Sequence, residues 1–265
     1  MRISIHRTFQ SLTPNPESPT VSLHGGPTGY DAAPWTQLTT TPSLFTKAEI
    51  AHFQDSYAVF KHVSPNGDQG YPGELTIEVL VALLPPVTPS EGDLGSLIYV
   101  YRAKLDKGVT PVNLTQHWGF NLDASLKEHQ GADVKDHTLL IKADRITKLD
   151  PVGLHTGEYT QVADAPVHDH TKGKRIGELY PYEAKAGGYD DFYVFADRKV
   201  DIPKRAPLSS LKDGQFDLVG DIIKNKVADP LVLLASEKSG LSVAFDSNRC
   251  VSACPSPGRN AHFYL

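Results

Sequence analysis

Apolar and polar residues alternate with a period of two through much of this 265-residue chain. Between residues 74 and 83, Leu75, Ile77, Val79, Val81 and Leu83 occupy every second position, which predicts a strand with one buried face. Residues 97–105 repeat the pattern, with Leu97, Tyr99, Tyr101, Ala103 and Leu105 set against Arg102 and Lys104. Further strands are predicted at 56–62, 138–143, 192–196, 231–235 and 241–245, and residues 236–240 join the last two as a hairpin. No long stripe of period 3.6 competes with these. Residues 46–53 and 208–212 are suited only to short helical turns. The pattern predicts an all-β, antiparallel chain.

Composition adds turns and removes several function classes. The 21 glycines and 20 prolines are spread along the chain and suit many short elements joined by turns. Residues 84–95, with three prolines and two glycines, read as a long loop between strands. Neither an internal repeat nor a composition break divides the chain, so residues 1–265 are read as a single domain. With 26 basic and 31 acidic residues the net charge is −5, which leaves no basic footprint for nucleic acid. No stretch approaches the ~20 apolar residues that a membrane helix needs. The first residues lack the apolar core of a secretory signal, and a cytoplasmic protein is expected. The sequon Asn113-Leu114-Thr115 is then expected to be unmodified, and Cys250 and Cys254 to be reduced thiols. Nothing in the composition indicates an obligate protein partner.

The side chains that could carry chemistry are histidines and carboxylates beside tight, aromatic-flanked turns. Sugar sites are built in this way, with aromatic faces covering C–H surfaces and His, Asp, Asn and Gln bonding hydroxyls. Three clusters fit. Leu23-His24-Gly25-Gly26 places a histidine before two glycines. The run from Asn113 to Leu122 sets His117 among amides, Trp118 and Phe120, and Gly187-Gly188-Tyr189-Asp190-Asp191-Phe192 opens a strand with two acids. Singly, each also has a structural explanation: a histidine packed beside Trp or Gly, or an aspartate capping its own turn. His168-Asp169-His170 hints at a metal, but no further ligand cluster accompanies it.

The ordered combination says more. His24-Gly25-Gly26 with Gly29-Tyr30-Asp31 is followed by the run from Ser64 to Leu75, which contains Gly67-Asp68-Gln69-Gly70-Tyr71-Pro72-Gly73-Glu74. Thr110 to His117, Phe120-Asn121-Leu122, Thr156-Gly157-Glu158 and Gly188-Tyr189-Asp190 come next. In order and spacing, from about residue 22 to 248, these resemble the galactose mutarotase (aldose 1-epimerase) family. The resemblance implies a β-supersandwich with a sugar cleft, interconverting the α and β anomers of free aldohexoses such as galactose and glucose. The chemistry it implies needs neither metal nor cofactor. A base takes the proton of the C1 hydroxyl while an acid protonates the ring oxygen, and the opened ring recloses on the other carbonyl face. By the same resemblance His117 matches the general acid, His24 a histidine that hydrogen-bonds the sugar, and Asp190 the carboxylate that fixes ring hydroxyls. Trp118 and Gly119 depart from the family's Ser-Tyr, and Asp191 replaces a frequent His.

Residues 1–21 and 249–265 depart from the pattern. The family's Asn-Arg pair has no counterpart before His24, and the Glu that serves as base has none after Phe245. The resemblance therefore implies a sandwich incomplete at both ends, with low activity expected of these residues alone. The alternative is a non-catalytic carbohydrate-binding or vestigial, truncated homologue.

Overall fold

A computed structural model of the chain describes residues 2–5, 8–16, 19–86, 92–126, 133–181, 188–195, 205–211, 216–224, 230–248, 251–253 and 261–263. Two compact units emerge, one of residues 1–114 and 202–225, the other of residues 115–201 and 226–265. Every strand pairing among the described residues is antiparallel. No helix among them is long and apolar enough to cross a membrane.

In the first unit, β1 (Arg2–Ile5) and β2 (Thr8–Ser11) form a hairpin. A four-stranded sheet follows, in the order β3 (Thr36–Gln37), β4 (Tyr57–Ser64), β5 (Leu75–Leu84) and β6 (Ser96–Leu105). The short helix α1 (Lys47–Ala51) lies between β3 and β4 in the chain, and α2 (Leu218–Lys224) returns from far downstream to pack against it. The strands predicted at 56–62, 74–83 and 97–105 are thus present with their ends moved by one or two residues.

Burial of β5 differs from the expected single face. Leu75, Ile77 and Val79 pack with Tyr30, Trp35, Tyr99 and Tyr101, whereas Leu80 and Ala82 pack with Phe45, Phe53, Val59 and Val219. Leu83, expected inside, is 60% exposed. As a central strand, β5 is covered on both sides, so residues of both alternating sets are buried. This uses the pleat of a strand whose faces each meet a core.

Two buried carboxylates lock this unit. Glu78, fully buried on β5, accepts the Ser43 N–H and hydroxyl on Oε1 and the Leu44 N–H on Oε2. Glu49 forms a capping box with Thr46 at the start of α1. Its oxygens also take a bidentate pair from Arg102 at 2.7 and 2.5 Å and the N–H of Leu218 at 3.1 Å. The Arg102 guanidinium lies over the rings of Phe45 and Phe216, 4.6 and 5.5 Å from their centroids. The start of α2 is tied to α1 again where Asp217 meets His52 Nε2 at 2.7 Å. Burial works against the charge of Asp217, but hydrogen bonds from Gly220 N–H and His52 outweigh it and hold its carboxyl below the usual range.

The second unit begins with β7 (Trp118–Phe120) and continues through β8 (Thr138–Ile141), β9 (Ala143–Leu149), β10 (His155–Gln161), β11 (Lys174–Arg175) and β12 (Phe192–Phe195). It closes with β13 (Val232–Ala235), β14 (Ser242–Phe245), β15 (Val251–Ala253) and β16 (Ala261–Phe263). The orders β10-β9-β12-β15 and β11-β8-β13-β14 make two four-stranded sheets, and β16 pairs with β7. The single strand predicted at 138–143 is a corner. Lys142 donates its N–H to the Leu231 carbonyl at 2.9 Å, and the chain passes there from one sheet to the other. Leu139, Ile141, Ala143, Ile146, Tyr193, Phe195, Val232 and Leu234 from both sheets share one core, so the unit is a β-sandwich. The hairpin β13–β14 closes through residues 236–240 as expected, with Gly240 N–H on the Ser236 carbonyl at 3.0 Å. Cys250 and Cys254 lie outside the described residues, as do residues 87–91 of the loop expected at 84–95.

Candidate functional site

His24 sits at the middle of a one-turn 3-10 segment, Leu23–Gly25, with φ 51° and ψ 25°. A left-handed conformation is uncommon for a residue with a side chain, so neighbouring contacts must hold it. Asn15 does so. Its Oδ1 accepts the Leu23 N–H at 2.6 Å and its Nδ2 donates to the Gly26 carbonyl at 3.1 Å, so one amide spans the turn. From the other side comes Gln69, itself left-handed at φ 48° in the segment Asp68–Gly70. Gln69 Oε1 accepts the Thr28 N–H at 3.3 Å, and its carbonyl accepts Thr13 N–H at 2.9 Å. Gly26, at φ 114°, has no room for a side chain, because a Cβ would fall 2.8 Å from Gln69 Oε1. A Cβ on Gly29 would fall 2.6 Å from the His24 carbonyl. The two glycine motifs of the sequence are therefore one packed structure, and the His24 side chain is left exposed at its tip. Next to it in the chain, burial pushes the Tyr30 phenol up, with a hydrogen bond from Ser64 opposing.

His117 stands exposed immediately before β7. The strand is anchored by Phe120, whose ring meets Phe245 edge-on at 5.0 Å. Beyond it, Leu122 N–H donates to His137 Nε2 at 3.0 Å and Asp123 accepts the Ser236 hydroxyl at 2.5 Å. Accepting at Nε2 puts the His137 proton on Nδ1. Burial holds the His137 imidazole below its usual range, which keeps that acceptor available. The turn after β7 is thus fixed by two buried side chains while His117 faces solvent.

Asp190 is exposed at the entry to β12, directly after Tyr189, which is 1% exposed. The Tyr189 hydroxyl donates to the Val167 carbonyl at 2.9 Å, and its ring packs edge-on against His168, His170 and Tyr180. The neighbouring Asp191 is pushed up by burial, with the charge of His168 opposing.

His24 thus belongs to the first unit, and His117 and Asp190 to the second, on different sheets. Each of the three is an exposed polar residue carried by a braced turn. Sequence reasoning missed the braces. Asn15 lies in a proline-rich polar stretch with no period, and its only signal is an amide able to donate and accept at once. The histidines of His168-Asp169-His170 do not act together. His170 is buried against Tyr189 and Tyr193, and its burial lowers its pKa to about 3. Among the described residues no cluster of three His, Cys, Asp or Glu could hold a metal ion.

The pattern of the whole chain has known counterparts. A family model described as aldose 1-epimerase matches residues 6–250. A galactose mutarotase from Bos taurus is 34% identical over 170 residues, covering 64% of this chain and 41% of the relative. The Mus musculus galactose mutarotase is 37% identical over 180 residues, 67% of this chain and 43% of its own. An aldose 1-epimerase from Escherichia coli K12 is 33% identical over 188 residues, covering 70% and 46%. The chain's match thus spans less than half the length of these relatives. Among solved structures, an aldose epimerase homologue from C. elegans superposes with a TM-score of 0.67 at 20% identity, covering 99% of this chain and 67% of that one. A galactose 1-epimerase from Lactobacillus acidophilus gives 0.62 at 17%, with 99% and 65% covered. At these identities the superpositions speak for the fold.

Proposed function

Since the chain belongs to the aldose 1-epimerase family, we propose that it binds a free aldohexose and takes part in interconverting the α and β anomers. The observation that carries this reading is the family match over residues 6–250, within which His24, His117 and Asp190 are all solvent-exposed. In the reaction a base removes the C1 hydroxyl proton, the bond from C1 to the ring oxygen breaks, and the acid delivers a proton to that oxygen. Rotation about C1–C2 and the reverse steps give the other anomer. His117 acts as the acid, since an imidazole exchanges a proton near neutral pH. His24 and Asp190 bind ring hydroxyls and orient the sugar. Glu49 and Glu78 do not serve as the base, because both are fully buried and engaged with backbone N–H groups, and the Glu that is the base in the family has no counterpart after Phe245. The protein works in the cytoplasm on free sugar.

Polarimetry on freshly dissolved α-D-galactose tests the reading. A rate above the buffer blank that falls in His117→Ala supports it. A rate equal to the blank, with galactose binding still seen by saturation-transfer NMR, would make the chain a carbohydrate-binding protein instead. Neither rate nor binding would overturn both readings.

A further inference from the structure

Behind Asp190 lies a set of side chains that the sugar-site reading does not use. Asp191 Oδ2 accepts the backbone N–H of Asp190 at 3.3 Å and stands 3.4 Å from His168 Nδ1. The Tyr193 hydroxyl meets the same Nδ1 at 3.4 Å. The His168 ring packs edge-on to Tyr189 at 5.6 Å and tilted against Tyr193 at 6.4 Å, and both tyrosines are 1% exposed. The two rings fix the plane of the imidazole, and its Nδ1 faces Asp191. His168 and Asp191 keep 24% and 29% of their side chains exposed, so solvent reaches one edge of the pair.

We propose that His168, acting through Asp191, is a positioning residue for Asp190. The imidazole pairs with the Asp191 carboxylate beneath the Asp190 amide, and so sets the direction in which the Asp190 carboxylate is presented. The proposal rests on the reading of Asp190 as a sugar-contacting group. It gives Asp191, which replaces a frequent family histidine, a task that only an acceptor can perform. A carboxylate can take the backbone N–H and pair with the imidazole on the same Oδ2, and it adds a charge opposite to that of a protonated ring.

Other titratable groups surround the pair. Asp169 is held below the usual carboxylate range by the hydroxyl and N–H of Thr171. His170 is kept neutral by burial. Lys174, lowered by burial, donates to the carbonyls of Pro166 and Val167 at 2.7 Å each. Asp190 itself and the phenols of Tyr189 and Tyr193 complete the set. A change in the charge of His168 alters the field on the Asp191 carboxylate, and the Asp190 amide should sense it.

The test is a pH titration of the full chain by 15N NMR, paired with galactose affinity. The Asp190 amide shift should follow the titration of the His168 ring, and the inflection should vanish in His168→Leu and in Asp191→Ala. Each variant should weaken galactose binding about 3–10-fold, the scale of one lost hydrogen bond, and the double variant no further. His168→Asn, which keeps an N–H near the Nδ1 position, should restore affinity to within about twofold. An Asp190 amide indifferent to His168, or additive losses in the double variant, would overturn the proposal. A wild-type chain that binds no galactose but whose Asp190 amide follows His168 would sink the sugar reading of Asp190 and leave the coupling standing.

Discussion

The side-chain amide of Asn15 spans the turn that carries His24, taking the Leu23 N–H at 2.6 Å and giving an N–H to the Gly26 carbonyl at 3.1 Å. A buried amide in this position, 7% exposed, converts a costly left-handed histidine into the preferred one. Replacing it by alanine leaves a buried donor and acceptor unmatched. Asn15→Ala should lower unfolding stability by about 1–3 kcal/mol, measured by urea denaturation, and should weaken sugar binding as His24 loosens. Unchanged stability would mean that the turn closes on its own.

Gly26 is held against Gln69 on the far side of the same turn. Gly26→Ala must strain a φ of 114° and push a methyl into the Gln69 side chain. It should cost at least about 1 kcal/mol, and Gln69→Gly in the same chain should recover part of that by removing the Cβ at 2.9 Å together with the rest of the side chain. Gly25, at φ 91° but with open space around its Cβ position, should show only the backbone part of the penalty. Unfolding midpoints of the three variants separate strain from clash.

Arg102 and Glu49 form a closed set of bonds in the first unit, with every Glu49 oxygen engaged. Arg102→Met strands a carboxylate that is fully buried, and should cost about 3–5 kcal/mol. The double variant Glu49→Gln/Arg102→Met should lose less than the sum of the single losses, because no charge is then left unpaired. Chemical denaturation of the four proteins checks the cycle.

Stability should fall with acid because of His170. Burial lowers its pKa from 6.5 to about 3, so the folded state resists a proton that the unfolded chain accepts. The contribution is present above the unfolded value and is lost as pH drops toward the folded one. Near pH 5 the loss should be about 2 kcal/mol relative to pH 7. His137, lowered by burial as well, acts in the same direction and would release the Leu122 N–H on protonation. His170→Phe, placed among the same tyrosine rings, should flatten the profile in urea melts at pH 5, 6 and 7. A profile as steep as wild type would show that acid sensitivity arises elsewhere.

The two exposed histidines of the site should fail in different ways. His117→Ala should reduce kcat for anomer exchange about 10²–10⁴-fold with little change in KM, as expected for loss of a general acid. His24→Ala should act mainly on KM. Small, equal effects on both constants would place the site elsewhere.

Local pattern was enough for β4, β5, β6 and the hairpin β13–β14, and it set His24, His117 and Asp190 beside turns, where the structure leaves them exposed. The period-two runs at 56–62, 74–83 and 97–105 and the hairpin closing at 236–240 are formed by neighbours in the chain, and alternation records them directly. His24, His117 and Asp190 were marked by the motifs around them. Other features depend on residues that meet only when the chain folds. Both faces of β5 are buried because different segments cover each, so Glu78, which alternation would put at the surface, lies in the core with three donors supplied by Ser43 and Leu44. The corner at Lys142 needs the carbonyl of Leu231, and α2 reaches Glu49 across more than 160 residues. Asn15 and His168 are polar residues in loops, with nothing in their surroundings along the chain to distinguish them from solvated side chains. Hydrophobic period reports which way a side chain points, but hydrogen bonding depends on which groups arrive opposite it, and that is settled by packing.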